Sequence, residues 1–291
     1  AELDASAGLL RSYAKTALVL GGKALRAEGL TAAARIRSET GCDLLSEGFP
    51  ARMERGAGLP DVARIPYLPE PAMELLGRDV SVAERTDELL KDRAYFDKSG
   101  GGVTLSGGEP TLQPEFCAAL MDALRTEGIQ VALDACGLCA PAVFKPLVEK
   151  ADLILFDLKL MNADEHKRWT GADNARILAN LEVVREVVAS SGGAKRLWIR
   201  TPLIPGATTA RENLVAIGAH LAASLNGNVE RWELCAFNNL CRDKYERLGM
   251  QWAFADAELL SADELQQLGE WAKSGGFDPA RTFVTGAAKV G

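Results

Sequence analysis

Histidine is almost absent from this chain, with only His166 and His220 among 291 residues. A histidine-built metal centre or a nucleophile–histidine pair has too little to draw on, and both rings are expected at the surface or at helix caps. Cysteine is sparse as well: six residues, at 42, 117, 136, 139, 235 and 241, in a chain large enough to bury its own core. They read as reduced thiols, with Cys117 in the core of a helix. Apolar runs such as 151–160 carry charges and fall short of the ~20 residues that cross a bilayer, so no membrane helix is expected. No long basic run exists, and 33 basic against 40 acidic residues give a net charge of −7. That balance argues against nucleic-acid and membrane-surface partners and favours a small molecule or a protein. Residues 1–8 hold two acids and no basic segment, so no secretory signal is expected and the cytoplasm is the default compartment. Low-complexity tracts are missing, and no internal repeat is obvious.

What the chain does have is a regular alternation from residue 102 onward. Short apolar runs at 103–106, 129–134, 152–158, 197–201, 229–236 and 281–285 alternate with helical spacing at 115–127, 141–150, 174–188, 211–225 and 262–274. A strand at 16–20 is expected upstream. This is the pattern of about six βα units around a parallel sheet, an α/β fold of the open or partial-barrel kind, whose ligands sit at the carboxyl ends of the strands. Residues 35–78 break the rhythm with scattered glycine and proline and read as a small inserted domain. Within the alternation, residues 101–110 read Gly-Gly-Val-Thr-Leu-Ser-Gly-Gly-Glu-Pro. Paired glycines let a ligand approach the backbone, and Glu109 beside them can accept from a cationic donor such as an amino group.

Together with 131–134, 155–159, 166–171, 198–206 and 238–246, this stretch resembles the radical S-adenosylmethionine (SAM) proteins that activate glycyl radical enzymes. The resemblance begins at about residue 68. It implies a partial (β/α)6 barrel over 1–34 and 79–291, with a degenerate ferredoxin-like insert at 35–78. It further implies SAM as cofactor, a [4Fe-4S] cluster, and a glycyl radical enzyme as partner. Ser106, Gly107, Gly108 and Glu109 would hold the SAM amino group. Asp134 and Asp157 would help hold a monovalent cation near SAM, while Lys159 and Arg200 would face its carboxylate and ribose. Asn238 stands where relatives place a histidine, so a ligand contact there would be through an amide.

The family's cluster hangs from C-x3-C-x2-C after the first strand. The surrounding context survives here as Thr16, Leu20, Gly22, Leu25 and Arg26, but the three ligand positions are Lys23, Ala27 and Leu30. Iron–sulfur clusters are held by thiolates, so no catalytic cluster is expected. The glycine-rich stretch expected upstream is replaced by residues 10–15. Two ferredoxin-type runs counted back from Pro50 and Pro69 fall on Glu39, Cys42, Leu45 and Phe49, and on Gly58, Asp61, Arg64 and Leu68. One cysteine among eight positions cannot hold a cluster. Cys136, Cys139, Cys235 and Cys241 all approach the expected barrel mouth, and a four-thiolate site is the sharper alternative to four separate thiols. Three functions compete. The first is a cluster-free SAM-binding or partner-binding paralogue. The second is an active activating enzyme using unforeseen ligands to generate a glycyl radical, and the third is a cluster-independent SAM-using transferase.

Overall fold

The computed structural model describes residues 16–46, 53, 58–64, 78–225 and 227–289. The chain divides into two compact units, Ala1–Asp79 and Val80–Gly291. Residues 1–15, 49 and 68, which carry the upstream stretch and two of the ferredoxin-type positions, lie outside the described residues.

In the first unit, strand β1 (Ala17–Leu20) leads through a 3-10 turn into the helix Ala27–Thr40 and returns as β2 (Asp43–Ser46), parallel to β1. The short β3 (Ala63–Arg64) adds to β2, also in parallel. Gly41 ends the helix in the left-handed region at φ 74°, a conformation glycine adopts without a Cβ penalty. Leu20, Leu25, Leu30, Ala33, Cys42 and Leu44 close the core. The strand expected to open the barrel at 16–20 therefore belongs to this three-stranded sheet. The division expected at residue 34 falls inside the helix, because a 14-residue helix is what a βαβ crossover needs to join neighbouring parallel strands.

The second unit is built on β4 (Gly102–Leu105), β5 (Gln130–Ala135), β6 (Leu153–Asp157), β7 (Arg196–Leu203), β8 (Val229–Ala236) and β9 (Thr282–Thr285). All pairings are parallel, and the sheet order follows the chain order. Helices Pro114–Thr126, Pro141–Lys150, Ala175–Ser190 and Arg211–Ser224 make the crossovers, and Ala262–Lys273 leads into β9. This is the α/β architecture and unit count expected of a partial barrel. Helices Val82–Leu89, Arg93–Ser99 and Ala163–Thr170 are additions the sequence pattern did not reveal. They are short, so too few turns exist for a 3.6-residue period to stand out.

Alternation along the strands sorts the side chains. On β5 to β8 one set is fully buried under the helices, including Leu133, Ile154, Phe156, Ile199, Trp232 and Leu234. The intervening residues Asp134, Asp157, Arg200, Glu233 and Cys235 lie half-buried on the opposite face. Phe144 and Phe156 meet edge to face at 6.1 Å in the middle of the core.

Candidate functional site

A cavity of about 330 Å³ opens at the carboxyl ends of the strands of the second unit. Ser106, Gly107, Gly108, Glu109, Asp134, Asp157, Lys159 and Arg200 all line it, so eight of the nine residues singled out from the sequence come together. Asn238 does not line it. Its side chain is exposed and accepts from the Leu240 N–H at 3.2 Å, capping the turn after β8. Ala135, Cys136, Pro202 and Cys235 complete the wall. Of these, Ala135 and Pro202 were not expected there. For Pro202 the signal was available, since it lies two residues beyond Arg200 on one strand and so on the same face.

The turn after β4 creates the first wall. Gly107 has φ 126°, which non-glycine residues rarely adopt. A Cβ at Gly107 or Gly108 would meet no heavy atom within 4 Å, so both glycines leave open space beside Glu109. The Glu109 carboxylate is oriented by its own turn and by the neighbouring strand. Oε1 accepts from Thr111 Oγ1 at 2.9 Å and from its N–H at 3.3 Å, while Oε2 accepts from the Cys136 N–H at 3.0 Å. Each oxygen retains acceptor capacity for a further donor.

The opposite wall is a row of charges set by strand register. Asp157, Arg200 and Glu233 are register neighbours across β6, β7 and β8. Arg200 reaches past its neighbours to donate to Asp134 Oδ2 at 2.8 Å, where Ser106 Oγ also donates at 3.2 Å. Lys159 Nζ donates to Asp157 Oδ2 at 2.8 Å. The side chains of these four charged residues are between 19% and 31% exposed, so their pairs are partly shielded from solvent screening. The loop carrying Lys159 is tied down in turn. Asn213 donates to the Lys159 and Thr208 carbonyls and accepts from the Met161 N–H, and Asn174 donates to the Leu160 and Met161 carbonyls.

Four of the thiols are held against ionisation. Burial, then the Glu109 carboxylate, pushes Cys136 up to about 11. Burial raises Cys117, Cys139 and Cys235 as well, although Arg200 pulls Cys235 the other way. Among the described residues no three histidine, cysteine or carboxylate side chains gather in a metal-binding arrangement. Of the four cysteines near the expected barrel mouth, Cys136 and Cys235 line the cavity, and Cys139 and Cys241 do not. Cys117 is buried as expected, its Sγ 3.3 Å from the Pro110 carbonyl.

Both histidines depart from expectation. His166 is buried, with Nδ1 2.7 Å from the Ala172 carbonyl and 3.0 Å from Thr170 Oγ1, so it closes the loop after its own helix. His220 is half-buried on the helix Arg211–Ser224. His220 sits as a single polar residue on a largely apolar helix, which leaves the periodicity unchanged, and the helix of His166 is short and mostly charged, with no apolar stripe to mark an interior face. No helix among the described residues is long and apolar enough to cross a membrane.

A model of the radical SAM superfamily matches residues 71–216. The (2S)-3-sulfopropanediol dehydratase activating enzyme of Klebsiella oxytoca is 33% identical over 191 residues, 66% of this chain and 58% of that protein. The trans-4-hydroxy-L-proline dehydratase activating enzyme of Clostridioides difficile is 31% identical over 198 residues, covering 68% and 63%. The pyruvate formate-lyase 2-activating enzyme of Escherichia coli is 33% identical over 208 residues, covering 72% and 68%. The chain spans less than two thirds of the length of the first two of these relatives. It belongs to the radical SAM superfamily, in the family of glycyl radical enzyme activating enzymes.

Proposed function

We propose that the cavity binds S-adenosylmethionine and that the chain is an activase-type protein that works without an iron–sulfur cluster, as a SAM-binding or partner-binding paralogue. The observation that carries the SAM reading is the gathering of Glu109, Asp134, Asp157, Lys159 and Arg200 around one cavity beside two open glycines. Three carboxylates face two cations there, which complements a ligand bearing an ammonium, a sulfonium and a single carboxylate. Glu109, already oriented by Thr111 and Cys136, receives the amino group. Lys159 and Arg200 hold the carboxylate and ribose side, and Asp134 and Asp157 fix those two cations or share a monovalent cation with the ligand.

The residues at the family's cluster positions do not fit a cluster. Leu30 is 1% exposed in the apolar core of the first unit, Ala27 has no donor atom, and Lys23 offers an ammonium where a thiolate is needed. Without thiolates at those positions the chain has no cluster to deliver an electron to SAM, and its role rests on binding. The partner that fits the family is a glycyl radical enzyme, and the compartment that fits is the cytoplasm.

Iron and acid-labile sulfide measured after anaerobic reconstitution, with a SAM titration on the same sample, tests the reading. No iron with retained SAM binding is the expected result. About four irons per chain with SAM cleavage under reductant would overturn the cluster-free reading and make the protein a working activating enzyme. Glu109→Ala and Lys159→Ala are each expected to weaken SAM binding by about tenfold or more while the fold survives. Unchanged binding in both removes the site assignment.

A further inference from the structure

The Glu109 carboxylate depends on a loop that has no regular structure of its own. Its Oε2 accepts from the N–H of Cys136, the first residue after β5. The loop is fixed from below by Asn180, a fully buried residue in the middle of the helix Ala175–Ser190. Its Nδ2 donates to the Gly137 carbonyl at 2.7 Å and to the Cys139 carbonyl at 2.9 Å. At the first of those anchors Gly137 takes φ 71°, and a Cβ there would lie 2.8 Å from the Phe156 ring. The loop is therefore pinned between a buried amide and a buried ring.

The amide is present for its donors. Its Oδ1 is buried with no hydrogen-bond partner among the described residues, whereas the carbonyl and amino groups of Asn213 are all used. An orphaned buried acceptor destabilises the fold, and an aliphatic side chain of similar volume would avoid that.

We propose that Asn180 is a positioning residue that sets the Glu109 carboxylate by holding the Cys136–Cys139 loop, and so tunes recognition of the ligand amino group. The proposal rests on the reading of Glu109 given above. In Asn180→Asp the two amide donors are lost. The protonated acid can return one of them at low pH, and the carboxylate can return neither at high pH.

The test is calorimetric titration of the unaltered 291-residue chain and Asn180→Asp with S-adenosylmethionine at about pH 8.5 and about pH 5.5, the variant compared with wild type at the same pH. The expected result is binding about tenfold weaker at the higher pH and closer to wild type at the lower, with unchanged circular dichroism. A variant that binds like wild type at both values overturns the proposal. A loss that ignores pH does so too, because it marks a merely structural role.

The second arm follows iodoacetamide alkylation of Cys136 by peptide mass spectrometry, and it needs no SAM. Release of the loop exposes this thiol and brings it back toward its ordinary range, so alkylation is expected to accelerate in the variant. An unchanged rate overturns the proposal. If wild type binds no SAM, the reading of the cavity fails and the proposal is judged on this arm alone. Asn180→Ser, which buries no charge, replaces the aspartate variant in the thiol arm if that variant fails to fold.

Discussion

Arg200 shows how much one residue can be asked to do by strand register. It lies between Asp157 and Glu233 in adjacent strands, yet its short contact at 2.8 Å is to Asp134, two strands away. The resemblance to the radical SAM family pointed to Arg200, Asp134 and Asp157, with the two aspartates at strand ends, where ligands collect in parallel sheets. It could not find the pairing among them, which depends on how neighbouring strands are staggered. Asn180 was invisible for a different reason: in sequence it is one polar residue on the otherwise apolar face of its helix, and only the loop above it gives it a purpose. His220 was misjudged on similar grounds and carries a pH signature. Burial holds its imidazole below the ordinary range, against the pull of Glu182. The unfolded chain therefore takes up the proton first as pH falls, so the stability contributed by neutral His220 is present above about pH 6.5 and is lost below it. The melting temperature is expected to fall between about pH 7.5 and about pH 5.5, and His220→Gln is expected to flatten that slope. An identical slope in the variant would assign the effect to other groups.

At the scale of elements, the strands and crossover helices of the second unit were legible because burial imposes period two on one and 3.6 on the other. Residues 141–150 were read with both ends correct, since Pro141 can open a helix and Ala151 precedes the next apolar run. The short helices were missed, and so was the partner of β1, because no local pattern states which strand lies beside which. Helix ends were marked by chemistry that the apolar periodicity does not register. Ser261 accepts from the Glu264 N–H while Glu264 reaches back to the Ser261 N–H, a capping box at the start of the helix Ala262–Lys273. That helix buries Leu265, Leu268 and Ala272. Ser261→Ala is expected to cost about 1 kcal/mol and to lower the melting temperature by roughly 2–4 °C in a unit of this size. Thermal unfolding followed by circular dichroism checks it, and no shift would mean the helix is held by packing alone.

At the scale of the molecule, two units with separate cores correspond to the point along the chain where family resemblance begins. The superfamily match starts at residue 71, close to the unit boundary at Asp79. Ten of the eleven cluster positions counted from the sequence lie before that match and are not cysteine. The second unit keeps its own core, running from Val103 to Phe277, and the whole cavity lining. A fragment of residues 80–291 is therefore expected to unfold in one cooperative transition and to bind SAM as the full chain does. A fragment that melts without cooperativity would show that the first unit supplies stability the second lacks.

The strictly sequential order of the sheet also fixes a timetable for synthesis. Each strand from β5 to β9 docks beside the one made just before it, so a nascent chain can extend the sheet as it leaves the ribosome, without waiting for a distant segment. When β6 has emerged and β7 has not, Asp157 already has Lys159 two residues further on, while the Arg200 that pairs with Asp134 is still to be made. One of the two aspartates is thus made well before its counter-charge, and the set of ion pairs closes only when β7 arrives.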